Sequence, residues 1–297
     1  RFIRGEEPIP MKDIDYAAPR TVAEATALLS EKGERAKVMA GGTDLIVQVR
    51  EYRRDIDVVV DIKRIPELME LTFDPKTGLR IGAATPCYRI YEHAAIAKAY
   101  PALIDAASLV GGIQIQSRAS LGGNLCNASP AGDTIPALIA LQAVCIIAGP
   151  QGTREVLAED FCVSPGRNCL QRGEMLITLK FPAPKPHSGA AYLRFIPRNE
   201  MDIAVVGTGV AIELDAAKRC VAARVSLAAV APRPLLVPSA ATALIGSALA
   251  DADLDKAAAL AQAAATPITD MRGDADYRKH LVAVLVKRAL QTAISRA

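Results

Sequence analysis

Before Leu71, apolar positions alternate between helical spacing and short continuous runs. A helix is predicted to begin at Thr21, because Thr21 and Glu24 occupy the N-cap and N3 positions of a capping box. This helix is predicted to end at Gly33, because glycine is common just after the last turn of a helix. Short apolar runs predict strands beginning at Val38 and spanning 58–62, with a helix between them that reaches Glu51. Because helices separate these strands, we expect a small α/β unit with parallel pairing.

From Leu71 onward the pattern favours strands joined by hairpins, interrupted by helices. Turn residues at 149–152 between two apolar runs are typical of a β-hairpin. The predicted elements are strands at 79–83, 144–148, 154–156 and 175–181 and a helix at 101–110.

Three prolines, Pro182, Pro184 and Pro186, mark the best domain boundary, since closely spaced prolines interrupt regular structure. We therefore predict two domains, 1–187 and 188–297. The second domain is predicted to contain strands at 192–196, 203–214 and 220–231, followed by helices at 239–249, 254–264 and 276–295.

Composition narrows the classes of function. Apolar residues make up 51% of the 297 positions, which is enough for a large core. The net charge of +3 is spread out, with no basic tract, so a nucleic-acid partner is not expected. The longest apolar run, 137–149, is too short to span a membrane. Six cysteines stand far apart without a CxxC pair, which predicts reduced thiols in a cytoplasmic protein and no metal site.

A first glycine pair lies in Met39-Ala40-Gly41-Gly42-Thr43-Asp44-Leu45, between a predicted strand and a predicted helix. A strand, a glycine turn and a helix N-terminus together present free N–H groups to a diphosphate. The segment is neither a GxGxxG fingerprint nor a Walker loop, because the third glycine and the Lys-Ser/Thr pair are missing.

A second glycine pair lies in Ser120-Leu121-Gly122-Gly123-Asn124. We interpret this stretch as a loop that is poor in core side chains and whose backbone approaches an anion. Asp133 follows it, just ahead of a predicted helix, and is expected either to cap that helix or to hold a sugar hydroxyl. An ordinary glycine-containing loop with a helix cap is the competing interpretation.

Groups for acid–base or nucleophilic catalysis are not recognised. The three histidines, His93, His187 and His280, are scattered, and neither a GxSxG nor an HExxH motif is present. We therefore assign no catalytic residue and no metal ligand. Two diphosphate clamps without an acid–base pair suit a redox cofactor that supplies its own chemistry.

Both glycine motifs, with Asn127-Ala128-Ser129-Pro130 and Asp133 after the second, resemble the FAD-binding medium subunit of the molybdenum hydroxylases. This group includes carbon monoxide, xanthine, aldehyde and N-heterocycle dehydrogenases. The resemblance covers essentially the whole chain. It implies an α+β fold, in which a two-lobed FAD domain of the vanillyl-alcohol-oxidase type precedes a C-terminal three-stranded antiparallel sheet with a helical bundle.

The resemblance also implies the cofactor contacts. Both glycine segments would hold the pyrophosphate of FAD and Asp133 its ribose or phosphate side. Leu176 matches the position whose backbone meets the isoalloxazine, and Arg194 falls where some relatives place a lysine. No iron–sulfur cluster and no covalent flavin are expected in this chain. The implied cofactor-binding residues are Met39, Ala40, Gly41, Gly42, Thr43, Asp44, Leu45, Ser120, Leu121, Gly122, Gly123, Asn124, Asp133, Leu176 and Arg194.

By the same resemblance, the chain is an oxidoreductase subunit that passes electrons from iron–sulfur clusters through FAD to an external acceptor. The expected partners are a large molybdopterin subunit and a small iron–sulfur subunit, assembled as a dimer of heterotrimers. Two alternatives remain open at this point: a stand-alone NAD(P)H-dependent flavin reductase of the same fold, and a flavin-free scaffold subunit. The substrate of the complex and its electron acceptor are not encoded in this chain.

Overall fold

A computed structural model describes residues 13–51 and 55–297. The first unit is a parallel sheet of three strands, in which β3 (Val58–Asp61) lies between β1 (Asp15–Ala17) and β2 (Ala36–Met39). It also carries α1 (Val22–Lys32) and α2 (Leu45–Arg50). The predicted parallel α/β unit is confirmed. Thr21 accepts from the N–H of Glu24, while the Glu24 carboxylate accepts from the N–H of Arg20.

The second unit is an antiparallel sheet of five strands. Its strands, in spatial order, are β4 (Leu71–Asp74), β5 (Gly78–Gly82), β10 (Met175–Phe181), β6 (Val144–Gly149) and β7 (Gly152–Leu157). The predicted hairpin is β6–β7.

Short helices fill the long connection between β5 and β6. They are α3 (Cys87–Tyr91), α4 (Ala94–Ala99), α5 (Pro101–Ala107), α6 (Ile113–Gln116), α7 (Leu121–Asn127) and α8 (Thr134–Ala140). A small insertion after β7 holds α9 (Ala158–Phe161) and the two-stranded sheet of β8 (Cys162–Ser164) and β9 (Arg167–Asn168).

The rest of the described chain forms an antiparallel sheet covered by helices. The sheet contains β11 (Ser188–Phe195), β12 (Val206–Leu214), β13 (Cys220–Ala228) and a two-residue strand, β14 (Leu235–Leu236), that was not predicted. The helices are α10 (Pro238–Leu244), α11 (Asp251–Ala264) and α12 (Ala275–Ser295). The expected α+β architecture, with a C-terminal antiparallel sheet and helices, is confirmed. No described helix is both long and apolar enough to cross a membrane.

Close backbone contacts join this last sheet to the preceding unit. A Cβ on Gly209 of β12 would lie 2.4 Å from the carbonyl oxygen of Pro136 in α8. Ser226 donates to the same oxygen at 2.6 Å, and Arg224 donates to the carbonyl of Ile139 at 3.0 Å. The sheet is therefore held against α8 through the carbonyl groups of that helix.

Three thiols are buried around the five-stranded sheet: Cys87, Cys145 and Cys162. Burial raises the pKa of each, to about 12 for Cys87 and about 11 for Cys162. These folded-state values exceed the unfolded value, so their stabilising contribution is complete below the unfolded pKa and is lost as the pH rises. The free energy of unfolding is expected to fall by about 1 kcal/mol per buried thiol between pH 8 and pH 10. Urea unfolding at both pH values measures this decrease in the free energy of unfolding. The decrease should be smaller in Cys145→Ala, which lacks one buried thiol.

Candidate cofactor site

A cleft of about 820 Å³ lies between the first two units. One wall is the end of β2 with the start of α2, and the other combines α7 with the segment from 166 to 176. The cleft is lined by every predicted cofactor residue except Leu121, Asp133 and Arg194. The fold thus brings the two glycine pairs, which are far apart in sequence, to one site.

The first glycine pair forms a turn between β2 and α2, as the sequence predicted. Gly42 has a φ of 75°, which a branched residue rarely adopts. A Cβ on Gly41 would lie 2.0 Å from the carbonyl oxygen of Arg118 on the opposite wall. The loop therefore packs directly on the other unit through Gly41. Within the described part of the chain, the N–H groups of Gly41 to Leu45 donate to no backbone carbonyl, so they are available to a ligand.

The second glycine pair lies in a helix, and the prediction of a loop poor in core side chains was wrong. Ser120 caps α7 by accepting from the N–H of Gly123 at 3.0 Å. Leu121 and Leu125 are fully buried one helical turn apart. A Cβ on Gly122 would meet the carbonyl of Ala83 at 2.5 Å, so this glycine permits close helix packing.

Leu121 does not line the cleft. The side chain belongs to the core around the five-stranded sheet. Its N–H and that of Gly122, the first two of α7, find no backbone acceptor among the described residues. Of these two residues only Gly122 lines the cleft, so its N–H is the donor on this wall that corresponds to the free N–H groups of the first loop.

Asp133 does not cap α8, so that interpretation was wrong. Its carboxylate accepts from the Tyr192 hydroxyl at 2.9 Å and from Arg194 Nη1 at 2.7 Å. The cap is supplied instead by Asn124, whose Oδ1 accepts from the Thr134 hydroxyl at 2.7 Å and from the Thr134 N–H at 3.3 Å. Asn124 thereby fixes the middle of α7 against the start of α8.

Arg194 is the counter-ion of Asp133 and shows 4% of its side chain to solvent. Burial raises the pKa of Asp133, and the charge of Arg194 opposes that rise. This buried pair joins β11 to the residue that precedes α8. Sequence reasoning placed both residues near the cofactor but did not foresee that they bind each other.

The segment from 166 to 176 was mostly missed as part of the site. Arg172 donates to the carbonyl oxygens of Ser30 at 3.0 Å and Glu31 at 3.2 Å, and so ties this segment to the last turn of α1. Glu174 receives two bonds of 2.7 Å from Arg154, which holds the segment to the hairpin. The arginines of this stretch, together with its glycines, were the available signal.

Two amide side chains also line the cleft without having been predicted. Gln48 of α2 donates to Asn127 of α7 at 3.4 Å and links the two walls. Asp44, a predicted site residue, also lines the cleft, and desolvation raises the pKa of its carboxyl group. No group of acidic, histidine or cysteine side chains among the described residues could hold a metal ion.

These features fit a diphosphate-bearing cofactor. Residues with free N–H groups line both walls, and successive free N–H groups form anion sites. The class defined by the fold and the cleft is that of a two-lobed flavin-binding protein with an added sheet-and-helix domain.

Comparison with known proteins assigns the family. Residues 12–184 match the FAD binding domain in molybdopterin dehydrogenase, and residues 191–293 match the CO dehydrogenase flavoprotein C-terminal domain. The chain belongs to this family of FAD-carrying oxidoreductase subunits of molybdenum hydroxylases.

Individual relatives align along nearly their whole length. The carbon monoxide dehydrogenase medium chain of Afipia carboxidovorans is 34% identical over 95% of this chain and 97% of its own. The xanthine dehydrogenase FAD-binding subunit of Escherichia coli O157:H7 is 30% identical over 95% and 96%. A chain of Cu,Mo-CO dehydrogenase superimposes with a TM-score of 0.92, at 31% identity, over 97% of this chain and 100% of that one.

Proposed function

We propose that the chain holds the diphosphate of FAD between its two glycine segments. The observation that carries this proposal is that free N–H groups lie on both walls of the cleft, from Gly41 to Leu45 on one and at Gly122 on the other. The other predicted residues in the lining are Met39, Ala40, Ser120, Gly123, Asn124 and Leu176. FAD, when bound, supplies the electron-transfer chemistry, and the protein supplies binding and orientation.

Asp133 and Arg194 lie outside the lining of the cleft. Their ion pair fixes the start of α8, and Asn124 joins α8 to α7. Contact of either side chain with FAD, as the family resemblance implied, is retained as a proposal that flavin titration of variants tests.

The electrons are proposed to come from iron–sulfur clusters of a small subunit, after substrate oxidation at a molybdopterin centre of a large subunit. The relatives are medium chains and FAD subunits of such dehydrogenases, which supports this order. They do not favour a stand-alone flavin reductase, and both intact glycine segments disfavour a flavin-free scaffold.

A surface patch of exposed apolar side chains supports association with partners. Ile113 and Met271 are 77% and 93% exposed, and Met201, half exposed, lies between their segments. Gln114 contacts Met201 at 3.1 Å, and Arg272 pairs with Asp202 at 3.7 Å. By contrast, the apolar faces of α11 and α12 pack within the C-terminal core, so those helices do not supply an interface there.

Three finer points belong to the same proposal. The assembly is taken to be a dimer of heterotrimers, and its location the cytoplasm, consistent with six free cysteines. The domain boundary is placed between 187 and 188, where β11 begins.

Native mass measurement is expected to find this chain in a particle that also contains a larger partner chain and a smaller partner chain. Expressed alone, the chain should bind FAD, seen as flavin absorbance, and oxidise no substrate of the complex. A native active particle made only of this chain would instead identify a stand-alone reductase. A purified, folded chain without any flavin affinity would leave only the scaffold function.

A further inference from the structure

Lys63 lies directly behind the first glycine loop, outside the lining of the cleft. Its ammonium group donates to the carbonyl oxygen of Ala40 at 2.7 Å, immediately before Gly41 and Gly42. A second bond of 2.7 Å joins it to Asp61 Oδ1 at the end of β3. The lysine therefore ties the backbone of the loop to the neighbouring strand.

The carboxylate that receives Lys63 is itself fixed. Asp61 is buried, and its Oδ2 accepts from the Tyr16 hydroxyl at 2.7 Å, while its Oδ1 also accepts from the N–H of Lys63 at 3.1 Å. Burial works to raise the pKa of Asp61, but the bonds from Lys63 and Tyr16 outweigh it and hold the pKa below its usual value. Asp61 is thus a charged anchor at neutral pH, with both oxygens bonded.

The orientation of one peptide group connects this anchor to the cofactor site. In a trans peptide the C=O and the following N–H point in opposite directions. Because the Ala40 carbonyl points back to Lys63, the Gly41 N–H points away from Lys63, toward the cleft that Gly41 lines. Gly41 cannot be fixed by a side chain of its own, and its contact with Arg118 tolerates no other residue.

We infer that Lys63 is a positioning residue for FAD, which acts through the Ala40 carbonyl to aim the Gly41 N–H at the diphosphate. This inference rests on the proposed FAD site. Without the bond, the flexible glycine pair would populate other orientations, and part of the binding free energy would be spent on ordering it.

Flavin fluorescence titration of the apo full-length chain tests the inference. Lys63→Met keeps the length of the side chain but removes the donor. It is expected to weaken FAD binding about tenfold, equivalent to about 1.4 kcal/mol. Lys63→Arg retains donors for both acceptors and should restore affinity to within about threefold. Lys180→Met, which removes an exposed lysine paired with Glu155, is the control for lost charge and should leave the affinity unchanged.

A second pair of variants separates positioning from simple charge pairing with Asp61. Asp61→Asn removes the ion pair but leaves the Lys63–Ala40 bond, so the FAD affinity should change by less than about twofold, even if the buried site loses stability. Asp61→Asn combined with Lys63→Met removes both charges without leaving either unpaired, and should show the full tenfold loss.

The outcomes are distinct. Unchanged affinity in Lys63→Met or in the double variant overturns the inference, as does an equal loss in Asp61→Asn alone. A wild-type chain that binds no FAD overturns the proposed function itself. If Lys63→Met does not fold, the double variant provides the decisive measurement.

Discussion

Gly41→Ala is expected to purify with less than about a tenth of the wild-type flavin content, because overpacking at a backbone contact costs on the order of 1–3 kcal/mol or more. The added Cβ would lie 2.0 Å from the carbonyl oxygen of Arg118 and 2.4 Å from its carbonyl carbon. These are backbone atoms of the opposite wall, which cannot rotate away as a side chain would. The two walls must therefore separate, and the N–H groups of the loop lose their common target.

The ratio of flavin to protein absorbance measures this effect, with thermal unfolding of the apoprotein alongside it. Gly123→Ala is the matched comparison, since its Cβ would meet only the Ser120 hydroxyl, at 3.1 Å. The fold should tolerate that change, so any flavin lost by Gly123→Ala reports a contact with the cofactor itself. Full flavin content in Gly41→Ala would show that the two walls do not close on the diphosphate.

Asp133→Ala is expected to lower the free energy of unfolding by about 3–5 kcal/mol, because it leaves a buried charge without its partner. Arg194 is almost completely enclosed, and the Tyr192 hydroxyl would also lose its acceptor. Both groups lie on β11, so the loss should loosen the attachment of the C-terminal sheet to α8.

Urea unfolding measures this loss, and a double-mutant cycle identifies its cause. Arg194→Met combined with Asp133→Ala removes both charges and should recover a large part of the stability. If the double variant is less stable than either single variant, the ion pair is not the source of the effect. Flavin titration of the same proteins tests the proposed cofactor contact of Asp133 independently of stability.

Much of the fold was accessible from local sequence patterns. The capping box at Thr21 and the glycine at position 33 predicted where α1 begins and ends. The apolar runs at β3, β6 and β10 predicted those strands. Such signals depend on residues close in sequence, so they survive without tertiary information. Strand β14, only two residues long, has too short a pattern to be predicted.

The second glycine segment shows where local reasoning failed. Its glycines were interpreted as a loop, since glycine disfavours helices in isolation. Leu121 and Leu125 nevertheless have helical spacing, and both are fully buried. Tertiary packing, with Gly122 pressed on the backbone of Ala83, outweighs the low helix propensity of the pair.

The sequence by itself determined that two glycine segments exist, that each stands beside a helix start, and that no acid–base pair accompanies them. These are properties of residue type and spacing. Only the tertiary structure decided that the two segments face one cleft, that Asp133 is paired with Arg194, and that Lys63 holds Ala40. Each of these depends on contacts between residues far apart in the chain, whose partners are selected by the packing of whole units and not by neighbouring residues.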